Sequence, residues 1–231
     1  MVTQAGLGRR GPAEAGRMEV LDAAATVFME RGFTATSVDD IAEVLGATKG
    51  RIYHYYRSKA DIFLDVLTLA MLDLLEQIRP IAEQRDLRPE ERLHAAARMH
   101  AMVMMTQNAR SRVAVQGTEM HLMQEAGAKQ RRALQAFVDM RDEYEQYFAD
   151  FVAEGVRAGI FRDVKPRLAA KPVLGALNWI NMWYRPRPDS DVEDIADEFA
   201  TFVVNGLRPP PSAPGSEQLS VVRPPRDRQA G

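Results

Sequence analysis

The chain has 231 residues, of which 46% are apolar and 27% charged, the composition of a globular protein with a sizeable core. Its formal net charge of −2 excludes a general polycation, so any binding to nucleic acid must use a local basic surface. Cysteine is absent, which excludes disulfides and thiolate chemistry. We find no apolar run of about eighteen residues and no secretory signal, so the cytoplasm is the expected location.

The N-terminal stretch, residues 1–15, is rich in glycine, alanine and polar side chains and is predicted to be a disordered arm. Arg9 and Arg10 allow two interpretations, a solvated tail or a flexible arm that contacts DNA phosphates or a minor groove. Over residues 17–31 the apolar side chains recur at helical spacing, and Gly32 is expected to close that helix.

Residues 37–56, SVDDIAEVLGATKGRIYHYY, predict two short helices joined by a tight turn. Ser37 is suited to cap the first helix, because its hydroxyl can accept a hydrogen bond from an amide of the first turn. Gly46 is suited to end it in a left-handed conformation, and Thr48 to cap the second helix.

The second of these helices is predicted to present a polar, partly cationic surface. Its inward side chains are Ile52 and Tyr56, and its outward residues are Lys49, Gly50, Arg51, Tyr53 and His54, with Tyr55 at the end. Cations can pair with guanine edges or phosphates, and hydroxyls can bind the DNA backbone. This pattern is typical of a helix-turn-helix whose second helix enters the major groove. An ordinary helical hairpin with a solvated basic face is the alternative.

Apolar periodicity predicts helices through the rest of the chain. A start resembling a capping box at Ser58 opens a long helix, which Pro80 is expected to break or kink. Further helices are expected over residues 88–107, 109–116 and 122–158 (with a possible interruption at Gly127), from Pro172 to before Pro186, and from Asp191 to Gly206. The predicted fold class is therefore all-α. We assign residues 16–62 to a three-helix DNA-binding domain, 63–207 to a ligand-binding and dimerisation bundle, and 208–231 to a disordered Pro-rich tail.

Three segments resemble the TetR family of transcriptional regulators in register: VLDAAATVFMERGF, TATSVDDIAEVLG and TKGRIYHYYRSKADIF, from Val20 to about Leu67. The resemblance implies a homodimer on a palindromic operator, with an effector in the C-terminal domain changing the separation of the two recognition helices. It also implies that Tyr56 is the buried aromatic that holds the recognition helix. The residues that it places at DNA are Thr36, Ser37, Thr48, Lys49, Gly50, Arg51, Tyr53, His54, Tyr55 and Lys59.

Two of these positions depart from the family pattern. Arg51 stands where the family usually has a small residue, so a guanine contact or an additional phosphate contact is expected there. The sequence His54-Tyr55 replaces the family's frequent Tyr-His order, so a phosphate contact of that histidine is expected to pass to Tyr55. For Lys59 there is an independent argument, because a cation beside the free amides of a helix N-terminus is suited to bind phosphate.

The predicted bundle contains two features that suit a ligand. Six of the twelve methionines lie between Met99 and Met123, and methionine suits an adaptable apolar cavity as well as an ordinary core. Trp179 and Trp183 share one face of a helix that resembles the penultimate helix of TetR-like regulators responding to acyl-CoA thioesters. Three interpretations stay open for this helix: contact with such a ligand, packing in a dimer interface of the last two helices, or both roles. The candidate ligand-binding residues are Met102, Met105, Met120, Trp179, Met182, Trp183 and Arg185.

The sequence contains no nucleophile motif, phosphate loop or metal signature, so neither an enzyme nor a cofactor is predicted. His94, His100 and His121 lack the spacing of metal ligands and are interpreted as core or surface histidines. The predicted function is a homodimeric repressor that binds a palindromic operator and is released by a small-molecule effector, with an acyl-CoA as the hypothesis. An activator, an effector-independent regulator, and a helical ligand-binding protein or enzyme without DNA affinity are the alternatives. No membrane partner is expected.

Overall fold

A computed structural model describes residues 11–106, 109–110, 113, 127–187 and 191–210. Within these ranges lie eight α-helices and no β-strand, which confirms the all-α prediction. In chain order they are α1 (Pro12–Ala35), α2 (Val38–Leu45), α3 (Lys49–Tyr55), α4 (Lys59–Glu83), α5 (Pro89–Thr106), α6 (Ala128–Arg157), α7 (Pro166–Trp183) and α8 (Val192–Leu207).

The N-terminal unit consists of α1, α2 and α3: α1 packs on both α2 and α4, and α2 packs on α3. Its core is built from the apolar stripe of each short helix, including Leu21 of α1, Ile41 of α2 and Ile52 of α3, all fully buried. Phe28 and Phe63 lock α1 against α4, with ring centroids 5.2 Å apart in an edge-to-face arrangement. Full burial of each large side chain contributes about 2 kcal/mol, so this small unit has a rigid frame.

The bundle behind this unit consists of the second half of α4 with α5 to α8. Helices α5 and α8 are antiparallel, because Arg98 of α5 bonds Asp197 at 2.8 Å and His94, one turn earlier, lies 3.4 Å from Thr201. Phe137, Phe148 and Phe151 of α6 are fully buried and fill the centre of the bundle.

Several predicted helix bounds are wrong, and most of the errors involve proline. Helix α1 begins at Pro12, so residues 12–15 belong to a helix and not to a disordered arm. Pro172 lies inside α7, which begins at Pro166. Helix α4 ends at Glu83, three residues after Pro80, so this proline does not break it. The remainder of the predicted arm and tail, residues 1–10 and 211–231, and most of the helix predicted at 109–116 lie outside the described residues.

Candidate nucleic-acid interface and effector domain

The turn between α2 and α3 is fixed by local hydrogen bonds and by one glycine. The Ser37 hydroxyl accepts from the Asp40 amide at 3.2 Å, and the Asp40 carboxylate accepts from the Ser37 amide at 2.7 Å, which completes a capping box. Gly46 ends α2 at φ 65° and ψ 33°, a left-handed conformation that favours glycine. Thr48 occupies the N-cap position of α3, but its side chain makes no capping hydrogen bond, contrary to the prediction.

Tyr56 anchors the C-terminal end of the recognition helix α3. Its side chain is buried, and its hydroxyl accepts a hydrogen bond of 3.0 Å from the Arg17 guanidinium of α1. Arg17 also pairs with Asp65 of α4, so three elements meet at one polar cluster. Burial raises the pKa of Tyr56 above its usual value, so the phenol stays protonated and available to this cluster. The side chain of Ile52 completes the inward face of α3.

The outer face of α3 carries Lys49, Gly50, Tyr53 and His54, all exposed. Tyr53 is 51% exposed. Lys49 pairs with Asp39 of α2 at 2.7 Å, and its hydrogen bond to that carboxylate raises the pKa of the ammonium. A Cβ at Gly50 would meet only the Thr48 hydroxyl, at 3.7 Å, so the backbone here is open to a close approach. This face is sterically accessible, cationic and held rigidly, as a DNA-contacting surface requires.

Arg51 and Tyr55 lie on the side of α3 that is turned toward α1. The Arg51 guanidinium forms a salt bridge with Glu19 of α1. The ring of Tyr55 is half-buried against Gly16, where an added Cβ would come within 2.3 Å of the phenol oxygen. The sequence placed Arg51 on the outer face and Tyr55 at the end of the helix, and in the folded chain Arg51 is exposed whereas Tyr55 is half-buried. Arg51 lies at the edge of the outer face, and Tyr55 helps to seat the helix.

Thr36 and Lys59 also differ from their predicted roles. Thr36 is buried, and its hydroxyl donates to the Gly32 carbonyl at 2.7 Å, so it is not presented to a phosphate. The Lys59 ammonium donates to the carbonyls of Phe33 at 2.6 Å and Thr36 at 2.5 Å. It also lies 4.4 Å from the centre of the Phe33 ring. In the free protein, Lys59 thus caps the carbonyl end of α1.

Two acidic side chains, Glu19 and Asp39, belong to the interface and were not predicted. Each holds one cation of α3 in the free protein, and each is more than half exposed. Asp39 lies only ten residues before Lys49, on the other side of a predicted turn. Because the hairpin folds back on itself, the sequence could have indicated this ion pair. Glu19 is 32 residues from Arg51, and local spacing carries no signal for that pair.

Asp61, in the first turn of α4, links the N-terminal unit to the bundle. Its carboxylate accepts a hydrogen bond of 3.2 Å from the Gln130 amide of α6 and lies 3.8 Å from the Lys129 ammonium. These groups line a cavity of about 270 Å³ together with Tyr55 and Arg17. The beginning of α6 is therefore joined directly to the helix that supports α3.

The described candidate ligand-binding residues divide between the interior of the bundle and its surface. Met105 is buried in the bundle and Met102 is half-buried, whereas Met120 lies outside the described residues. Trp179 and Met182 are at least half exposed on the outer face of α7. The remaining two are also at this surface, where Trp183 stacks on Phe199 of α8 at 6.0 Å and Arg185 donates to the carbonyls of Met182 and Tyr184.

A buried polar network connects three helices of the bundle. His100 of α5 lies 2.8 Å from the Tyr144 hydroxyl of α6 and 2.9 Å from the Asn178 amide oxygen of α7. Because an amide oxygen only accepts, the imidazole Nε2 carries the proton and Nδ1 accepts from the phenol. Burial lowers the pKa of His100 to about 4, so the ring is neutral at physiological pH. His100 is therefore a core histidine, as predicted.

Metal and membrane features are absent from the described residues. There, no three His, Cys, Asp or Glu side chains come close enough to hold a metal ion. Among the same residues, no helix combines the length and apolar character needed to cross a bilayer.

A capped helical hairpin with an exposed cationic second helix, supported by a helical bundle, defines the helix-turn-helix class of DNA-binding regulators. The chain belongs to the TetR family of bacterial regulatory proteins. Its residues 20–66 match the profile described as "Bacterial regulatory proteins, tetR family". Residues 86–207 match the profile described as "Tetracyclin repressor-like, C-terminal domain". Members of this family are transcriptional regulators.

Individual relatives agree with this assignment. The chain is 31% identical over 201 residues to the HTH-type transcriptional repressor KstR2 of Rhodococcus jostii, covering 84% of this chain and 92% of that protein. The structure of the ketosteroid transcriptional regulator KstR2 of Mycobacterium tuberculosis superposes with a TM-score of 0.73 at 23% identity, covering 91% and 100% of the two chains. AibR, in complex with isovaleryl coenzyme A and operator DNA, superposes with a TM-score of 0.68 at 22% identity, covering 84% and 99%. At these identities the two structures show the shared fold.

Proposed function

We propose that this chain is a transcriptional repressor that binds a palindromic operator as a homodimer and is released from it by an acyl-CoA thioester. The observation that carries the DNA-binding part is the outer face of α3, where Lys49, Gly50, Tyr53 and His54 are exposed while Ile52 and Tyr56 fix the helix from behind. A rigid helix with such a face fits the major groove. The repressor assignment follows the name of the KstR2 relative.

The homodimer is supported by the outer surface of the last two helices. Large apolar side chains of α7 and α8 are exposed in the single subunit: Leu168, Trp179, Met182, Trp183 and Phe202. A surface of this kind marks an interaction site, and a second subunit would cover it. Of the three sequence-based interpretations for Trp179 and Trp183, we therefore favour the dimer interface.

The effector part of the proposal is supported by two observations. AibR, which shares this fold, was solved with isovaleryl coenzyme A and operator DNA. In the present chain, Asp61 is hydrogen-bonded to Gln130 at the beginning of α6, so a change in the bundle can be transmitted to the support of α3. Release requires only that the effector bind the conformation that is unsuited to the operator more tightly than the DNA-bound one.

The DNA-binding part is tested with an operator selected from random duplexes by the full-length protein. Lys49→Ala and Arg51→Ala should each weaken binding by about tenfold or more, because each removes a cation from or beside the outer face of α3. The slope of log affinity against log salt should fall by about one for each phosphate contact removed. Arg79→Ala is the matched control, since it removes an exposed cation about 30 Å along α4 from Lys59.

Unchanged operator affinity in both α3 variants, or no selected duplex at low salt, contradicts this part and favours a helical ligand-binding protein. The effector part is tested by thermal shift and operator release with CoA thioesters against the matching free acids. Stabilisation by thioesters without release from DNA indicates an effector-insensitive regulator, and increased reporter output from the bound operator indicates an activator.

A further inference from the structure

Within the described part of the bundle, one buried side-chain amide nitrogen has no hydrogen-bond partner. Asn181 on α7 is only 5% exposed. Its side-chain Nδ2 is shielded from solvent and donates no hydrogen bond. Buried donors in native proteins are almost always paired, because an unpaired one loses its bonds to water and gains nothing in return. An exception of this kind needs an explanation, and a ligand that supplies the acceptor is one.

The position of Asn181 relates it to the buried polar network. It follows Asn178 by three residues, so both amides lie on the same side of α7. Asn178 accepts from His100 of α5 at 2.9 Å, so this side of the helix faces the interior. The free donor is thus one turn beyond a group of polar side chains that is already satisfied.

The directions of the helices indicate which part of α5 lies level with Asn181 of α7. Helix α8 is antiparallel to α5. It is also antiparallel to α7, because Ala169 near the start of α7 lines the same groove as Gly206 and Leu207 at the end of α8. Helices α5 and α7 therefore run in the same direction. One turn past His100 on α5 lies Met104, which is buried, followed by Met105. Unbranched thioether side chains can repack around a molecule that enters the core.

We propose that Asn181 is the hydrogen-bond donor that recognises a carbonyl oxygen of the effector, and that the methionines one turn past His100 on α5 accommodate the apolar part of the same molecule. This inference deepens the proposed effector response and rests on it. The effector class is an apolar compound with a carbonyl, such as the thioester of an acyl-CoA. The hydrogen bond between His100 and Asn178 ties α7 to α5 one turn before Asn181.

The test uses two pairs of probes that differ in one carbonyl. Octanoyl-CoA is compared with octyl-CoA, the thioether that lacks the oxygen, and cyclohexanone with methylenecyclohexane. The full-length wild-type protein should bind the carbonyl member of at least one pair about tenfold more tightly by calorimetry, as one hydrogen bond provides. Asn181→Leu should bind both members of that pair equally.

The unliganded protein gives a second measurement. Asn181→Leu should raise the melting temperature without ligand, because it removes an unpaired donor and keeps the volume of the side chain. Gln135→Leu, the corresponding change at an exposed position of α6, is the control. A lower melting temperature for Asn181→Leu specifically means that the amide has a structural partner, which overturns the proposal.

The outcomes separate this inference from the acyl-CoA proposal. Asn181-dependent preference for cyclohexanone, with no binding of octanoyl-CoA, supports the inference and contradicts the acyl-CoA proposal. Equal binding of octanoyl-CoA and octyl-CoA supports a CoA ligand. If cyclohexanone and methylenecyclohexane also bind equally, the inference is overturned. A carbonyl preference that persists in Asn181→Leu overturns it, as does a wild-type protein that prefers neither carbonyl probe.

Discussion

Lys59 illustrates how a side chain of the expected type takes an unexpected partner. A lysine at the start of α4 suits phosphate binding by its charge and position. In the folded chain, however, the last carbonyls of α1 lie within its reach, and the ammonium donates to Phe33 at 2.6 Å. Thr36 behaves similarly, since its hydroxyl donates a hydrogen bond to the carbonyl of Gly32. Residue type and spacing predict which groups are near the DNA-binding unit, but not which partner each group selects.

Replacing Lys59 should therefore change stability more than salt-dependent DNA affinity. Lys59→Met removes the charged hydrogen bonds to α1 and should lower the free energy of unfolding by about 2 kcal/mol in urea titration. Arg57→Met, at an exposed position two residues earlier, is the control and should have little effect. If Lys59→Met instead leaves stability unchanged and reduces the salt slope of operator binding by about one, Lys59 contacts phosphate as first predicted.

At the scale of the helices, the periodicity of apolar residues predicted each helix of the described chain, but boundaries predicted from proline positions were wrong. Pro172 was expected to begin a helix because proline suits the first turn. In α7 it instead lies in the second turn, on a side that is exposed in the single subunit, where water can reach the carbonyl of the exposed Leu168. The cost of an internal proline is lower at such a position, and periodicity alone does not report exposure.

The packing of helices also created contacts that no local pattern contains. Tyr144 and Asn178, the two partners of His100, follow it in the chain by 44 and 78 residues. In the candidate interface, likewise, the cationic face of α3 was predictable from a single segment, whereas the ion pair of Arg51 with Glu19 required the angle between α1 and α3. Sequence therefore predicted the outer surface of the site better than the contacts that support it.

The buried imidazole gives the bundle a pH-dependent stability. Above pH 6.5 His100 is neutral in the folded and unfolded states; below it, the unfolded chain takes up a proton first, because burial lowers the folded pKa to about 4. The pKa of Tyr144, its titratable neighbour, is raised by burial, so the phenol stays protonated in this range. Stability should consequently fall by about 3 kcal/mol between pH 6.5 and pH 4 from this group.

Urea titrations at a series of pH values measure this loss. His100→Gln retains hydrogen-bonding groups but cannot titrate, so its stability should depend less on pH than that of the wild-type protein. His94→Gln removes another histidine of α5 that lies outside the network and serves as the control. A wild-type pH profile in His100→Gln contradicts a neutral buried imidazole.

At the scale of the whole molecule, the surface proposed to bind DNA and the surface proposed to bind a second subunit belong to different helices. The outer face of α3 lies at one end of the chain's fold, and the exposed apolar side chains of α7 and α8 lie on the bundle. Phe202 is 71% exposed and borders a groove of about 230 Å³ between these two helices, with Pro172 and Val173 on its other side. Exposure of so large a ring is costly unless another surface covers it.

Charge at this position should separate the subunits. Phe202→Glu places a carboxylate in the proposed interface, where a two-fold axis would bring two copies of the change into one contact and desolvate both. Sedimentation should then give a mass near one chain of 25.9 kDa in place of two. Operator affinity should fall by about 100-fold or more, because the two recognition helices no longer bind as one unit. Leu72→Glu, a similar change at an exposed leucine of α4, should leave both properties unchanged. A Phe202→Glu variant that sediments as a dimer with unchanged operator affinity places the interface elsewhere, and the exposed tryptophans of α7 then become candidates for effector contact again.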